Sequence, residues 1–225
     1  LLDGGAGNDV LVGGDGNELY VGGRGNDRLE TGSGHDILLF NRGNGQDTVV
    51  ADEDSHQTVS LGGGIAYDNL TLGKSNEDLV LKLGNGDKIT FKDWYAATPV
   101  KSVVGLQMIA EAMAGFKAGG ADPLRDQKVE SFDFSGLVNA YDIARTSNPA
   151  LSSWALTNAL LDFQLGGSDT AAIGGDLAYQ YGRSGTLAGI GLTAAQEVIG
   201  GSGIGGQAQT LRPLDSLQNG AVRLS

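Results

Sequence analysis

The chain has 225 residues, with 38 glycines, no cysteine, 40% hydrophobic residues and a formal net charge of −12. That length allows one or two domains with a real core. Zero cysteine excludes disulfides, thiol catalysis and thiolate metal sites, and the acidic balance argues against nucleic acid, whose phosphates need a basic face.

So much glycine does not suit an ordinary helical enzyme. The apolar fraction and a proline count of only 4 argue against disorder, which leaves the glycines at fixed backbone positions. No uncharged run of about 18 apolar residues is present to form a transmembrane segment. Leu1 opens directly onto Asp3-Gly4-Gly5, with no signal peptide, as expected of a fragment.

Charge and glycine concentrate at the start. Residues 1–54 hold 11 acids and 3 bases, and 13 of the glycines fall in the first 45 residues. Such a segment repels itself unless a cation neutralises it. Its acids recur with a period of nine: Gly4-Gly-Ala-Gly-Asn-Asp-Val-Leu-Val12, Gly13-Gly-Asp-Gly-Asn-Glu-Leu-Tyr-Val21, Gly22-Gly-Arg-Gly-Asn-Asp-Arg-Leu-Glu30 and Thr31-Gly-Ser-Gly-His-Asp-Ile-Leu-Leu39. After a two-residue slip comes Arg42-Gly-Asn-Gly-Gln-Asp-Thr-Val-Val50, and Leu1-Leu2-Asp3 match the end of a preceding copy. Glycines at positions 1, 2 and 4 permit a tight turn with positive φ. The last three positions make a short strand whose middle residue (Leu11, Tyr20, Leu29, Leu38, Val49) points inward. A plainer reading is a glycine-rich turn solenoid whose acids are merely solvated, but it gives no reason for acids to recur at position 6.

This repeat resembles the RTX (repeats-in-toxin, haemolysin-type) calcium-binding nonapeptide G-G-x-G-x-D-x-U-x. The resemblance implies a parallel β-roll, two nonapeptides per turn, with copy n stacked on copy n+2. Position-6 carboxylates then meet backbone carbonyls of two stacked loops, and an all-oxygen set of this kind suits Ca²⁺. Carried over position by position, one site would use Gly5, Gly7, Asp9, Gly22, Arg24 and Asp27. A second would use Gly14, Gly16, Glu18, Thr31, Ser33 and Asp36, with Glu18 where the family has Asp. A third would use Gly23, Gly25, Asp27, Arg42, Asn44 and Asp47, across the slip.

Residues 55–118 are expected to be a β-hairpin cap plus a helix. Leu79-Val-Leu-Lys-Leu83 and Lys88-Ile-Thr-Phe-Lys92 alternate, and the turn Gly84-Asn85-Gly86-Asp87 between them is a hairpin signal. Leu79, Leu81, Leu83, Ile89 and Phe91 would face a core. Trp94 and Tyr95 follow, in a segment similar to the one that covers the open edge of the repeat in many RTX proteins. A carbohydrate site built on Trp94 is the other reading of that aromatic.

The remainder reads as mainly helical. Val103, Val104, Leu106, Ile109, Met113 and Phe116 predict a helix over about 101–117. Others are predicted at 136–147 behind Ser135 as N-cap, at 152–163, from Asp176 to Tyr181, and from Thr193 to Gly200. The fold class expected is therefore mixed β and α: a β-roll over 1–54, a hairpin cap, and a helical region over 119–225. Residues 131–225 resemble the C-terminal tail of some large RTX proteins of Gram-negative bacteria.

No catalytic constellation stands out, and the chain is not expected to be an enzyme. Gly201-Ser-Gly-Ile-Gly-Gly206 satisfies the dinucleotide fingerprint but follows a predicted helix and precedes none. Gly73-Lys74-Ser75 lacks the first glycine of a phosphate loop, and His35 and His56 are too few for a zinc site or triad. Asp169 and Asp176 read as turn or cap residues rather than ligands of a further cation. The resemblance implies a secreted or cell-surface calcium-binding module, exported unfolded through type I secretion machinery by a C-terminal signal, and folding on Ca²⁺ outside. An adhesin or host-ligand-binding domain using the helical half is the other class, and an exposed aromatic patch around Trp94 or Trp154 would favour it.

Overall fold

The computed structural model describes residues 1–187 and 209–210. Each repeat copy ends in a short strand, and successive strands fall alternately into two sheets. In the first sheet β1 (Leu2–Asp3), β3 (Leu19–Val21), β5 (Ile37–Phe40) and β7 (Gln57–Leu61) run parallel, with Leu2 opposite Tyr20, Tyr20 opposite Leu38 and Leu38 opposite Val59. In the second, β2 (Val10–Val12), β4 (Arg28–Gly34) and β6 (Gln46–Ser55) run parallel, with Leu11 opposite Leu29 and Leu29 opposite Val49. Copy n thus pairs with copy n+2. The inward residues Tyr20, Leu29, Leu38 and Val49 lie in one hydrophobic core, with Leu11 packed against it.

The expected fold class does not hold. No separate parallel roll is set off from a hairpin cap and a helical half; the chain is mostly β, in two mixed seven-stranded sheets, with two α-helices among the described residues. The free edge of β6 takes β10 (Asp87–Phe91) in parallel, and β10 pairs antiparallel with β9 (Asp78–Gly84), which pairs with β8 (Thr71–Ser75) and then β13 (Trp154–Ala155). The free edge of β7 takes β11 (Val103–Met108) in parallel, and β12 (Val129–Asp133) and β14 (Gln164–Ser168) continue antiparallel. An open parallel edge presents unpaired N–H and C=O groups, and these segments satisfy them within the same sheets. β15 (Ala171–Ala172) and β16 (Gln209–Thr210) form a separate two-stranded pair.

Two predicted helices are therefore strands and short turns. The 101–117 segment forms β11 and a 3-10 turn at Ala110–Ala112. Its β-branched Val103-Val104 pair and Gly105 are poor helix formers, and pairing with β7 and β12 overrides the apolar spacing. The 152–163 segment forms β13 and 3-10 turns at Leu156–Asn158 and Leu160–Phe163. Two others do form. Helix α1 spans Phe134–Ser147, capped two residues earlier than expected, because Asp133 rather than Ser135 is the N-cap and accepts the Gly136 N–H at 2.9 Å. Helix α2 spans Gly175–Ser184 between left-handed glycines 174 and 185, with Asp176 in its first turn. The helix predicted from Thr193 and the Gly201–Gly206 motif lie outside the described residues. No described helix is long and apolar enough to cross a membrane.

The hairpin forms at the Gly84–Asp87 turn, where Asn85 and Gly86 take positive φ, and Leu79, Leu81, Leu83, Ile89 and Phe91 are buried. Gly73-Lys74-Ser75 lies within β8 rather than in a loop before a helix, which removes the phosphate-loop geometry. Trp94 is 1% exposed and packs on Phe91 and Phe134 with ring centres 6.0 and 6.2 Å away, so it is core and presents no face to a sugar. Trp154 rests against Tyr141 and is half-buried.

The two sheets carry different outer faces. Helix α2 covers the first, packing Leu177, Ala178 and Tyr181 on Leu19, Val21, Ile37 and Leu39. In the second sheet the equivalent positions face water: Val10 and Val12 are exposed, and Arg28 pairs with Glu30 at 2.7 Å. The x positions flanking the inward residue follow this cover only in part, since Val10 and Val12 of copy 1 are apolar although their sheet faces water. Copies 2 and 4 are apolar there, and copy 3 is charged.

One core acid stands outside the repeats. Glu130 on β12 is fully buried; its Oε2 accepts from Gln164 at 2.8 Å and its Oε1 has no partner. Burial pushes its pKa up to about 7, against the opposing Gln164 hydrogen bond and with the nearby Asp126 charge assisting. Between about pH 4.5 and 7 the folded chain therefore binds more protons than the unfolded chain, so stability falls as pH rises through that window and levels off above it. Glu130→Gln is expected to raise stability above pH 7 by about 1–3 kcal/mol and to flatten that slope. Urea melts in saturating Ca²⁺ at several pH values check it; equal slopes in both proteins would refute it.

Candidate metal centre

The loops before the strands stack as closely as the strands do. Arg24 N–H donates to Gly5 O at 2.8 Å, Gly7 N–H to Arg24 O at 2.9 Å and Gly25 N–H to Asn44 O at 2.9 Å. Only glycine permits this contact at position 4: Gly25 has φ +149°, and a Cβ there would sit 1.6 Å from the carbonyl oxygen of Gly7. Copy 2 is different, because Gly14 and Gly16 do not adopt positive φ. Its carbonyls still meet the next loop, with Ser33 N–H donating to Gly14 O at 3.1 Å.

Stacking aligns the position-6 carboxylates into ladders. Asp27 Oδ1 accepts the Asp9 N–H at 2.9 Å, Asp36 Oδ1 accepts the Glu18 N–H at 2.9 Å, and Asp47 Oδ1 accepts the Asp27 N–H at 2.8 Å. Asp27, Asp36 and Asp47 are thereby each fixed through one oxygen to the backbone of the acid in the stacked copy. The second oxygens are another matter. Oδ2 of Asp9, Asp27 and Asp36 and Oε2 of Glu18 are buried with no hydrogen-bond partner. An unpaired buried carboxylate oxygen is costly, and two facing acids each with one such atom are costlier still.

The electrostatics express the same strain. Burial pushes the Asp36 carboxyl up to about 7, with the Glu18 charge adding and the hydrogen bond from the Glu18 amide opposing. Asp47 is also pushed up to about 7, by burial first and by the Asp27 and Asp87 charges. Asp27 is raised by burial and by Asp9. Among the described residues no three His, Cys, Asp or Glu side chains form a metal cage. A cation held here must therefore draw on backbone carbonyls beside paired carboxylates. Hard, charged oxygens in an irregular set fit Ca²⁺. The orphaned oxygens are the feature a divalent cation would satisfy.

Each expected ligand set is brought together to a different degree. Gly5, Gly7, Asp9, Gly22, Arg24 and Asp27 lie in two stacked loops joined by the hydrogen bonds above, and both acids carry an orphaned oxygen. Gly14, Gly16, Glu18, Thr31, Ser33 and Asp36 also stack, and Glu18 reaches the buried position despite its extra methylene by folding back over its own loop toward Gly16. In the third set Gly25 and Gly45 bridge, and Asp27 meets Asp47. The two extra residues are absorbed in a turn where Asn41 and Asn44 bond each other, which moves the β4–β6 register to Arg28 opposite Thr48. Gly23 lies against Gly5, and the Arg42 side chain leaves the loop to bond Gly64 O at 2.6 Å and Asn69.

Three structural partners were not anticipated. Asn8, Asn17 and Asn26 side chains accept the amides of Asn26, His35 and Gln46 at 2.8, 2.9 and 3.0 Å, a second ladder beside the acids. Its signal is the Asn at position 5 of the first three copies. Asp87 closes the end of the stack by accepting the Gly43 and Gly45 amides at 2.7 and 3.1 Å. Tyr20 fills the space under copy 2, where its hydroxyl donates to Thr31 O at 3.2 Å and leaves no room for a Cβ at Gly13.

Stacked glycine loops with facing acids define a repeat-built cation-binding protein. The family model of the RTX calcium-binding nonapeptide repeat (4 copies) matches residues 1–29 and 12–47. The N-terminal 47 residues are RTX calcium-binding repeats, and they imply that the chain binds Ca²⁺. No curated protein matches the chain.

Proposed function

We propose that this chain is a calcium-responsive folding module of a secreted RTX-type protein, with residues 1–54 as its calcium-binding part. The observation that carries the reading is the set of four buried, unpartnered carboxylate oxygens on Asp9, Asp27, Glu18 and Asp36. Without a cation they oppose the stacking that the loop hydrogen bonds favour. With one they become the reason to stack, because Ca²⁺ supplies the positive charge that facing acids need. Asp9 and Asp27 would hold one ion, Glu18 and Asp36 a second, and Asp27 and Asp47 a third, each with carbonyls of the stacked glycine loops.

Binding to the folded state alone couples folding to calcium, by about 4 kcal/mol per site when free Ca²⁺ is a thousandfold above its dissociation constant. In a compartment poor in Ca²⁺ such a chain stays open and suits export through a type I channel, guided by a C-terminal signal. Outside, millimolar Ca²⁺ closes it. The reading assigns binding and folding rather than catalysis. Far-UV circular dichroism during a Ca²⁺ titration tests it: strand signal is expected to grow from chelator to millimolar Ca²⁺ and to respond little to Mg²⁺. Identical spectra in chelator and Ca²⁺ would end the proposal.

A further inference from the structure

His35 and His56 are 21 positions apart in sequence and share no motif, yet the fold places them side by side. They follow β4 and β6 directly after the pair Gly34–Ser55, and the His56 N–H donates to Gly34 O at 2.7 Å. The two imidazole rings stand with centres 5.2 Å apart and planes tilted by 34°, both exposed. A tetrahedral ion bound to two imidazole nitrogens at about 2.0–2.1 Å puts their ring centres roughly 5 Å apart, so the observed spacing is compatible with two ligands of one ion.

The second ring nitrogen matters as much as the spacing. His56 Nδ1 lies 3.3 Å from the Asp54 carbonyl oxygen. A carbonyl can only accept, so that contact places the proton on Nδ1 and leaves the Nε2 lone pair available, the arrangement by which metal-binding histidines are oriented. His35 is held from the other side, its amide donating to Asn17 Oδ1 at 2.9 Å. The adjoining run Asp52-Glu53-Asp54 is exposed and supplies negative charge beside the pair. No third His, Cys, Asp or Glu side chain completes a cage among the described residues, so water or an outside ligand fills the remaining positions.

We infer that His35 and His56 form a two-imidazole site for a borderline transition-metal dication such as Zn²⁺, chemically distinct from the all-oxygen calcium loops beside it. The ion ties the end of β4 to the end of β6 and thus clamps the loop that carries Asp36. Imidazole nitrogen favours Zn²⁺, Ni²⁺ or Cu²⁺ over Ca²⁺, so Ca²⁺ does not compete for the imidazole pair.

Isothermal titration of the full chain with Zn²⁺, in millimolar Ca²⁺ to occupy the acidic loops, tests the inference. One Zn²⁺ per chain is expected, weakened at least about tenfold by either His35→Gln or His56→Gln, with the Ca²⁺ titration midpoint unchanged in both. A Zn²⁺-induced rise in melting temperature should disappear in the same variants, and their circular dichroism in Ca²⁺ should match the parent. Zn²⁺ affinity unaltered in both variants would overturn the site. So would Zn²⁺ binding that excess Ca²⁺ abolishes, since the ion would then be occupying the carboxylate loops.

Discussion

Asp27→Asn is expected to have opposite effects with and without calcium. Asp27 is 2% exposed, donates its amide to Asp47, accepts the Asp9 amide, and leaves Oδ2 unpartnered between two other acids. It is the one acid common to two expected sites. Asparagine keeps the shape and an oxygen for the Asp9 amide, but removes the charge. In chelator the variant should be more stable than the parent by about 1–2 kcal/mol, because a buried unpaired charge is gone. In millimolar Ca²⁺ it should be less stable, with a midpoint raised about tenfold or more and up to two fewer ions bound. Urea melts in Ca²⁺, and the residual amide protection of the loops in chelator where the stack is largely open, read the crossing. A variant that is destabilised equally in both would show that Asp27 acts only as packing.

Gly25→Ala tests the stacking geometry, and its effect should be the largest of any single methyl. The added carbon would stand 1.6 Å from Gly7 O at φ +149°, so the loops must separate and the ladder from Asp9 to Asp27 must break. A loss of about 3 kcal/mol or more is expected, with Ca²⁺ binding impaired at the first and third sets together. Gly43→Ala is the control, since Gly43 shares positive φ at +84° but has nothing within 4 Å of a Cβ. It should cost only the conformational strain, about 1–2 kcal/mol. Equal losses in the two variants would mean that conformational strain, not loop contact, dominates.

The repeat was legible because every element of it is local. Nine residues carry the turn, the acid and the inward apolar residue, so the period marked these residues, and the resemblance to RTX repeats implied the stacking that pairs Leu11 with Leu29 and sets Asp9 beside Asp27. The Asn85-Gly86 hairpin was legible for the same reason. The rest of the fold depends on distant partners. Val103–Met108 has apolar spacing that suits a helix, and becomes a strand only because β7 and β12 offer it two edges to pair with. Trp154–Ala155 is decided by β8, more than 70 positions earlier. The cover over the first sheet was only half written in the sequence: apolar residues flank Tyr20 and Leu38 and charged ones flank Leu29, but Val10 and Val12 flank Leu11 in the uncovered sheet. Reading it requires knowing first that alternate copies enter different sheets. The nearness of His35 to His56 had no local signature at all, because the β4–β6 register that creates it includes the two-residue slip.

The central claim is that the acidic loops stack only when a cation satisfies them. Residue-resolved amide hydrogen exchange reads this at the bonds concerned, the N–H groups of Asp9, Glu18 and Asp27 that donate to the carboxylates of Asp27, Asp36 and Asp47. In millimolar Ca²⁺ these three amides should exchange slowly, and in chelator they should exchange at close to unfolded-chain rates. Equal protection in both conditions would show that the stack forms without calcium, and would contradict the account.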